Sequence, residues 1–93
     1  MAGIELTVTI DISAGMKGGW IVIDTTDVPI TNGKGKKSFQ PGEHRYHCYF
    51  AGPPGGTCTY EIKRGEEQVV KSITRTILDG ERTGRSVGGF TLV

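Results

Sequence analysis

Two runs rich in aromatic and β-branched residues, Glu43–Phe50 and Thr57–Arg64, flank the segment Ala51-Gly52-Pro53-Pro54-Gly55-Gly56. That arrangement predicts two strands joined as a hairpin. With Phe50 opposite Gly56, Cys48 falls opposite Cys58, Tyr46 opposite Tyr60 and His44 opposite Ile62, and directly opposed residues share a face. Glu43, Arg45, His47 and Tyr49 take the other face, with Thr57, Thr59, Glu61 and Lys63. One face is apolar and the other charged, and a slip of one residue would spoil both. The segment therefore commits the chain to antiparallel β structure and makes Cys48 and Cys58 a cross-strand pair.

The remaining segments agree with an all-β chain. Ile4–Asp11 alternates apolar and polar residues, the mark of a strand with one buried face. Ser13–Gly19 carries three glycines and reads as a loop. Trp20-Ile21-Val22-Ile23-Asp24 is nearly continuously apolar, which suits a strand covered on both sides or at the centre of a sheet. Val28-Pro29-Ile30 is brief and holds a proline, so it fits only an edge. Thr31–Lys37 reads as a turn opening on Asn-Gly, Ser38–Gln40 as a short strand stopped by Pro41-Gly42, and Val87–Val93 as a closing strand. Glu66–Leu78 carries two signals. Val69, Val70, Ile73 and Ile77 fall at helical spacing, with Glu66 and Glu67 in a first turn and Gly80 just past the end. The density of β-branched residues favours a strand, with Arg64–Glu67 as a tight turn.

The sequence thus predicts a single domain over residues 1–93, a small antiparallel β-sandwich of about seven strands, immunoglobulin-like. An α+β fold with one helix at 66–78 is the alternative. Two packed sheets would bury Leu6, Val8, Ile10, Ile21, Ile23, Phe50, Tyr60, Ile62 and Phe90. Ninety-three residues, 35% of them apolar, suffice for one modest core. A net charge of +1 argues against a nucleic-acid-coating surface. No apolar run approaches the ~20 residues of a membrane-spanning helix. Met1–Glu5 shows neither a basic nor a long apolar leader, which leaves localisation open with the cytoplasm favoured.

Few residues carry chemistry. Cys48 and Cys58 read as buried reduced thiols, or as a disulfide if their separation allows. His44, His47, Cys48 and Cys58 suggest zinc at first sight, but alternation sends His47 to the face opposite Cys48, and the spacing matches no zinc pattern. No nucleophile has an orienting partner, and the scattered carboxylates define no acid–base pair. The sequence therefore offers no catalytic residue, no metal site and no cofactor. Trp20 reads first as a core anchor. Exposed, it becomes a stacking platform together with Tyr49 or Tyr46. Lys34, Lys36 and Lys37 crowd a turn that reads as a solvated loop, or as an anion-holding rim.

Trp20-Ile-Val-Ile-Asp24, Val28-Pro29-Ile30, Gly33 and Phe39-Gln40-Pro41-Gly42-Glu43-His44 with the strand to Gly52 resemble PEGA-type surface β-sandwich domains. In these an apolar strand leads to a Gly-bearing turn, and a Pro-Gly-x-His turn launches the next strand. The likeness covers about a third of the chain and lacks the Pro-x-Gly-Ala segment that names the family. It implies a non-catalytic accessory module and transfers no site residue. The expected function is therefore protein–protein interaction or a structural role, through edge strands and Gly-rich loops, with a homo-oligomer among the outcomes. The alternative is carbohydrate binding on Trp20 and Tyr49, with the lysines at the rim.

Overall fold

A computed structural model describes residues 3–93; Met1 and Ala2, part of the predicted domain, lie outside the described residues. The described residues form eight strands: β1 (Ile4–Ile12), β2 (Gly18–Ile23), β3 (Thr26–Val28), β4 (Lys34–Phe39), β5 (Gly42–Ala51), β6 (Thr57–Arg64), β7 (Glu67–Thr76) and β8 (Thr83–Leu92). Two antiparallel four-stranded sheets result, ordered β4-β1-β6-β7 and β3-β2-β5-β8. They pack as a sandwich around the apolar residues expected from alternation: Leu6, Val8, Ile10, Ile21, Ile23, Phe50, Tyr60, Ile62 and Phe90 are all buried.

The β5–β6 hairpin does not form. β5 lies between β2 and β8 in one sheet, and β6 between β1 and β7 in the other. Both strands have two neighbours already, so neither has a free edge for the other. The Gly-Pro loop instead carries the chain across the sandwich, with Gly55 and Gly56 bonded to Ile77 at 2.8 Å each. Cys48 and Cys58 are accordingly not cross-strand partners; they enter the core from opposite sheets. The division of faces survives, because Tyr46, Cys48, Phe50, Cys58, Tyr60 and Ile62 are all buried.

Over residues 66–78 the favoured strand forms and the alternative helix does not: β7 pairs with β6 from Arg64↔Glu67 to Thr57↔Thr76. Ile62 pairs with Val70 and Tyr60 with Ile73, so three steps along β7 match two along β6, a β-bulge. The helix-like spacing of Val70 and Ile73 is the mark of that bulge. Lys34, Lys36 and Lys37 lie not in a turn but on β4, opposite Thr9, Thr7 and Leu6 of β1. Asn32 and Gly33, with φ of 54° and 80°, complete the reversal alone, as a two-residue primed turn does.

Register inside the core is held by aromatic rings over glycines. Phe50 pairs with Gly84 and Tyr46 with Gly88. A Cβ on Gly84 would meet the Phe50 ring at 2.1 Å, and one on Gly88 would meet the Tyr46 hydroxyl at 2.5 Å. A chain of hydroxyls then bridges the sheets. Tyr46 Oη lies 3.0 Å from Tyr60 Oη, which lies 2.5 Å from Ser86 Oγ, and Arg75 Nε donates to Ser86 Oγ at 3.3 Å.

Candidate functional site

The two outward faces differ in chemistry. On β4-β1-β6-β7 the outward positions are Glu5, Thr7, Thr9 and Asp11 on β1, with Lys34, Lys36, Thr59, Glu61 and Lys63 opposite them. Some of its polar groups engage one another: Thr59 and Thr74 share a 2.8 Å hydrogen bond, and Gln68 donates to Glu61 at 2.8 Å. Lys63 stands 3.9 Å from the same carboxylate. This is a solvated polar face.

The face of β3-β2-β5-β8 is different. Two cross-strand rows run over it, Trp20–Tyr49–Arg85 and Val22–His47–Val87. Trp20 is 46% exposed and Val87 56%. Expectation placed Trp20 in the core; Ile21 and Ile23 fill the inward positions of β2, and alternation leaves Trp20 and Val22 pointing out. The near-continuous apolar run was therefore not the sign of a strand covered on both sides. It marks a strand with an uncovered apolar face.

Trp20 and Tyr49 stand side by side, ring centroids 6.0 Å apart and planes 25° from parallel, an offset-stacked geometry. His47 lies 6.1 Å from Tyr49 along the same strand. A shallow groove of about 440 Å³ opens beside the pair, lined by Trp20, Tyr49, Phe50, Thr83, Gly84 and Arg85. On the far side of Tyr49 a hollow of about 630 Å³ continues over Val22, Arg45 and His47. Arg45 and Arg85 have no carboxylate partner among the described residues. Arg85 was not singled out from the sequence, because its place beside Tyr49 exists only once β8 is registered against β5.

The structure thus brings Trp20 and Tyr49 together and leaves the lysines elsewhere. Lys34, Lys36 and Lys37 belong to the other sheet and form no rim to the aromatic pair. Cys48 and Cys58 are free thiols, both completely buried. The neighbouring Cys58 thiol, and then burial, push Cys48 well above the usual thiol range. The hydrogen bond to Cys48 lowers Cys58 in turn, against the effect of its burial, but neither thiol reaches solvent, and it is this burial that closes the pair to nucleophilic chemistry. His44 is committed as well: it packs against Phe39 and Phe90, with Asp24 and the Gln40 carbonyl on its two ring nitrogens. No cluster of His, Cys, Asp and Glu suited to a metal ion occurs among the described residues. No helix among them is long and apolar enough to cross a membrane.

Comparisons with protein-family models, curated proteins and solved structures return no match.

Proposed function

We propose that the chain is a non-enzymatic, immunoglobulin-like accessory module that docks a protein partner on the outward face of β3-β2-β5-β8. The observation that carries this reading is the row Trp20–Tyr49–Arg85, half-exposed on a sheet whose opposite number in the sandwich is covered by threonines and charged side chains. Trp, Tyr and Arg are the side chains that most often dominate protein–protein binding energy, because each offers a large contact area with a directed polar group. The second row, Val22–His47–Val87, extends the patch across three strands, a surface with shallow open hollows whose breadth suits a protein more than a small ligand. The resemblance to PEGA-type domains points the same way, toward a module without chemistry of its own.

A second reading, carbohydrate binding, is favoured by the near-parallel Trp20 and Tyr49 rings. It loses support from the lysines, which sit in the other sheet.

The test uses immobilised wild-type protein and the Trp20→Ala/Tyr49→Ala/Arg85→Ala variant, each challenged with lysate and a glycan array. Proteins retained by the wild type and lost from the variant are the expected result. Identical retention by both would sink the docking face, and array signals abolished by Trp20→Ala alone would move the function to glycans.

A further inference from the structure

We infer that the free edge of β8 pairs with β8 of a second copy of this chain, antiparallel about a twofold axis at Val87. This interface runs along the edge of the docking face proposed above and shares Arg85 and Val87 with it, whereas Trp20 and Tyr49 belong to the docking face alone.

The backbone direction of β8 follows from its neighbours. Arg45 O accepts from Asp24 N and Ala51 O from Lys17 N, so odd-numbered residues of β5 turn their peptide groups toward β2. Even-numbered residues of β5 therefore face β8, and the register pairs them with even-numbered residues there, such as Tyr46 with Gly88 and Cys48 with Ser86. It follows that Thr83, Arg85, Val87, Gly89 and Thr91 aim their N–H and C=O groups away from the sheet. An edge of that kind is a template for another strand.

The other three edges carry the usual defences. β3 is three residues long and is followed by Pro29. β4 carries Lys34, Lys36 and Lys37, and β7 carries Glu67, Lys71 and Arg75. β8 is ten residues long, regular in its pairing with β5, and holds Arg85 as its one charge.

The sequence of β8 is also complementary to itself. Centred on Val87, the antiparallel register sets Val87 against its own copy, Arg85 against Gly89, and Thr83 against Thr91. The strand's one cation then meets a residue without a side chain rather than its own copy; centring on Arg85 would oppose two like charges, which destabilises a strand pair. Only the His44 carbonyl comes within 4 Å of a Cβ placed on Gly89, so the space above it is open to the partner's arginine. The contact is isologous and closes at two copies. It would also fuse two β3-β2-β5-β8 sheets into one and double the aromatic face, raising avidity for a repeated partner.

Sedimentation equilibrium over a wide concentration range tests this with Val87→Pro, Val87→Lys and Val87→Cys. The Val87 N–H has no partner among the described residues, so proline removes an intermolecular bond only, and lysine opposes two cations at the axis; circular dichroism checks that both variants fold. The expected result is a wild-type dimer whose dissociation constant rises at least about tenfold in both. Val87→Cys should cross-link under mild copper-catalysed oxidation, because directly paired Cα atoms about 5.5 Å apart suit a disulfide. Arg85→Cys, facing Gly89, should not. A wild type monomeric throughout, a dimer untouched by Val87→Pro and Val87→Lys, or equal cross-linking of the two cysteine variants would overturn the inference. A monomer that still captures a Trp20-dependent partner overturns it and leaves the docking face intact. A β8 dimer that captures nothing through Trp20 upholds it while removing the docking face.

Discussion

Asp24 and His44 lock the turn after β2 to the start of β5. Nδ1 of His44 donates to Asp24 Oδ2 at 2.5 Å, its Nε2 donates to the Gln40 carbonyl at 2.7 Å, and Asp24 Oδ1 accepts from the Arg45 amide at 2.9 Å. Both ring nitrogens face acceptors, an arrangement that favours the doubly protonated ring. The His44 side chain is only 9% exposed, whereas Asp24 is 45% exposed. Asp24 itself takes a left-handed backbone, φ 58°, a conformation that Asp and Asn tolerate better than most residues.

That pair makes stability depend on pH on two sides. Burial pulls the His44 pKa down, but the hydrogen bonds to Asp24 and Gln40 and the charge of Asp24 outweigh it, and the net shift is upward from 6.5. Its contribution is complete below the unfolded value and disappears as pH rises through the higher folded one. The Arg45 amide, opposed by burial and aided by His44, holds Asp24 below 3.8. That contribution is present above 3.8 and disappears as pH falls through the depressed folded value. Urea titrations across pH should therefore show a plateau between these limits, a decline on the acid side as Asp24 is protonated and a decline on the alkaline side as His44 loses its proton. His44→Gln should flatten the alkaline decline, and Asp24→Asn should flatten both limbs while keeping the turn. An alkaline limb unchanged in His44→Gln would refute the assignment.

Substitution of Gly88 or Gly84 tests the ring-over-glycine register. Alanine at Gly88 would push the Tyr46 ring and strain its bond to Tyr60, and alanine at Gly84 would displace Phe50. Overpacking of this kind costs about 1–3 kcal/mol. Alanine at Gly18, where nothing lies within 4 Å, is the control and should be nearly neutral. Equal midpoints for all three variants in urea would show that the rings do not set the register.

The hydroxyl chain predicts an order of effects. Tyr60→Phe leaves the buried Tyr46 hydroxyl without a partner, while Ser86 keeps Arg75. Tyr46→Phe leaves the Tyr60–Ser86 bond in place. An unsatisfied buried hydroxyl costs about 1–3 kcal/mol, so Tyr60→Phe should be the more damaging change by chemical denaturation. The reverse order would mean that the Tyr46 hydroxyl is satisfied elsewhere.

Faces were legible in this sequence and neighbours were not. Alternation in Ile4–Asp11 and in Glu43–Arg64 assigns each side chain to core or solvent, because the two-residue period of a strand is local. Whether β5 and β6 pair with each other or face each other across a core is not local. Both arrangements bury Cys48 and Cys58, and the choice depends on β2 and β8 flanking β5 and on β1 and β7 flanking β6. The bulge in β7 shows a second limit, since an added residue turns a strand's period of two into a three-residue step that imitates a helix at Val70 and Ile73. The candidate site was half legible. Trp20 and Tyr49 are conspicuous residues, but their adjacency and the place of Arg85 beside them arise from the registers of β2 and β8 on β5.

Cys48 and Cys58 should ignore a water-soluble thiol reagent in the native protein, since both are fully buried and unoxidised. Two thiols should appear on denaturation without reductant. Rapid labelling of the folded protein would contradict their burial, and none after denaturation would mean that they had joined.

Trp20 gives the sharpest separation of stability from function. At 46% exposure it has less to lose on truncation than a buried aromatic, and its ring is stacked on Tyr49 rather than wedged between the sheets. Trp20→Ala should lower stability by about 1 kcal/mol or less, where a fully buried Phe or Trp would lose about 3–5 kcal/mol. As the protein's one tryptophan, it also reports on itself. Its emission should be red-shifted relative to a core tryptophan and quenched by acrylamide in the folded state. A partner seated on the Trp20–Tyr49–Arg85 row should shift that emission to the blue and shield it from the quencher. Blue-shifted, unquenched emission from the free protein would return Trp20 to the core and remove the surface on which the proposed docking depends.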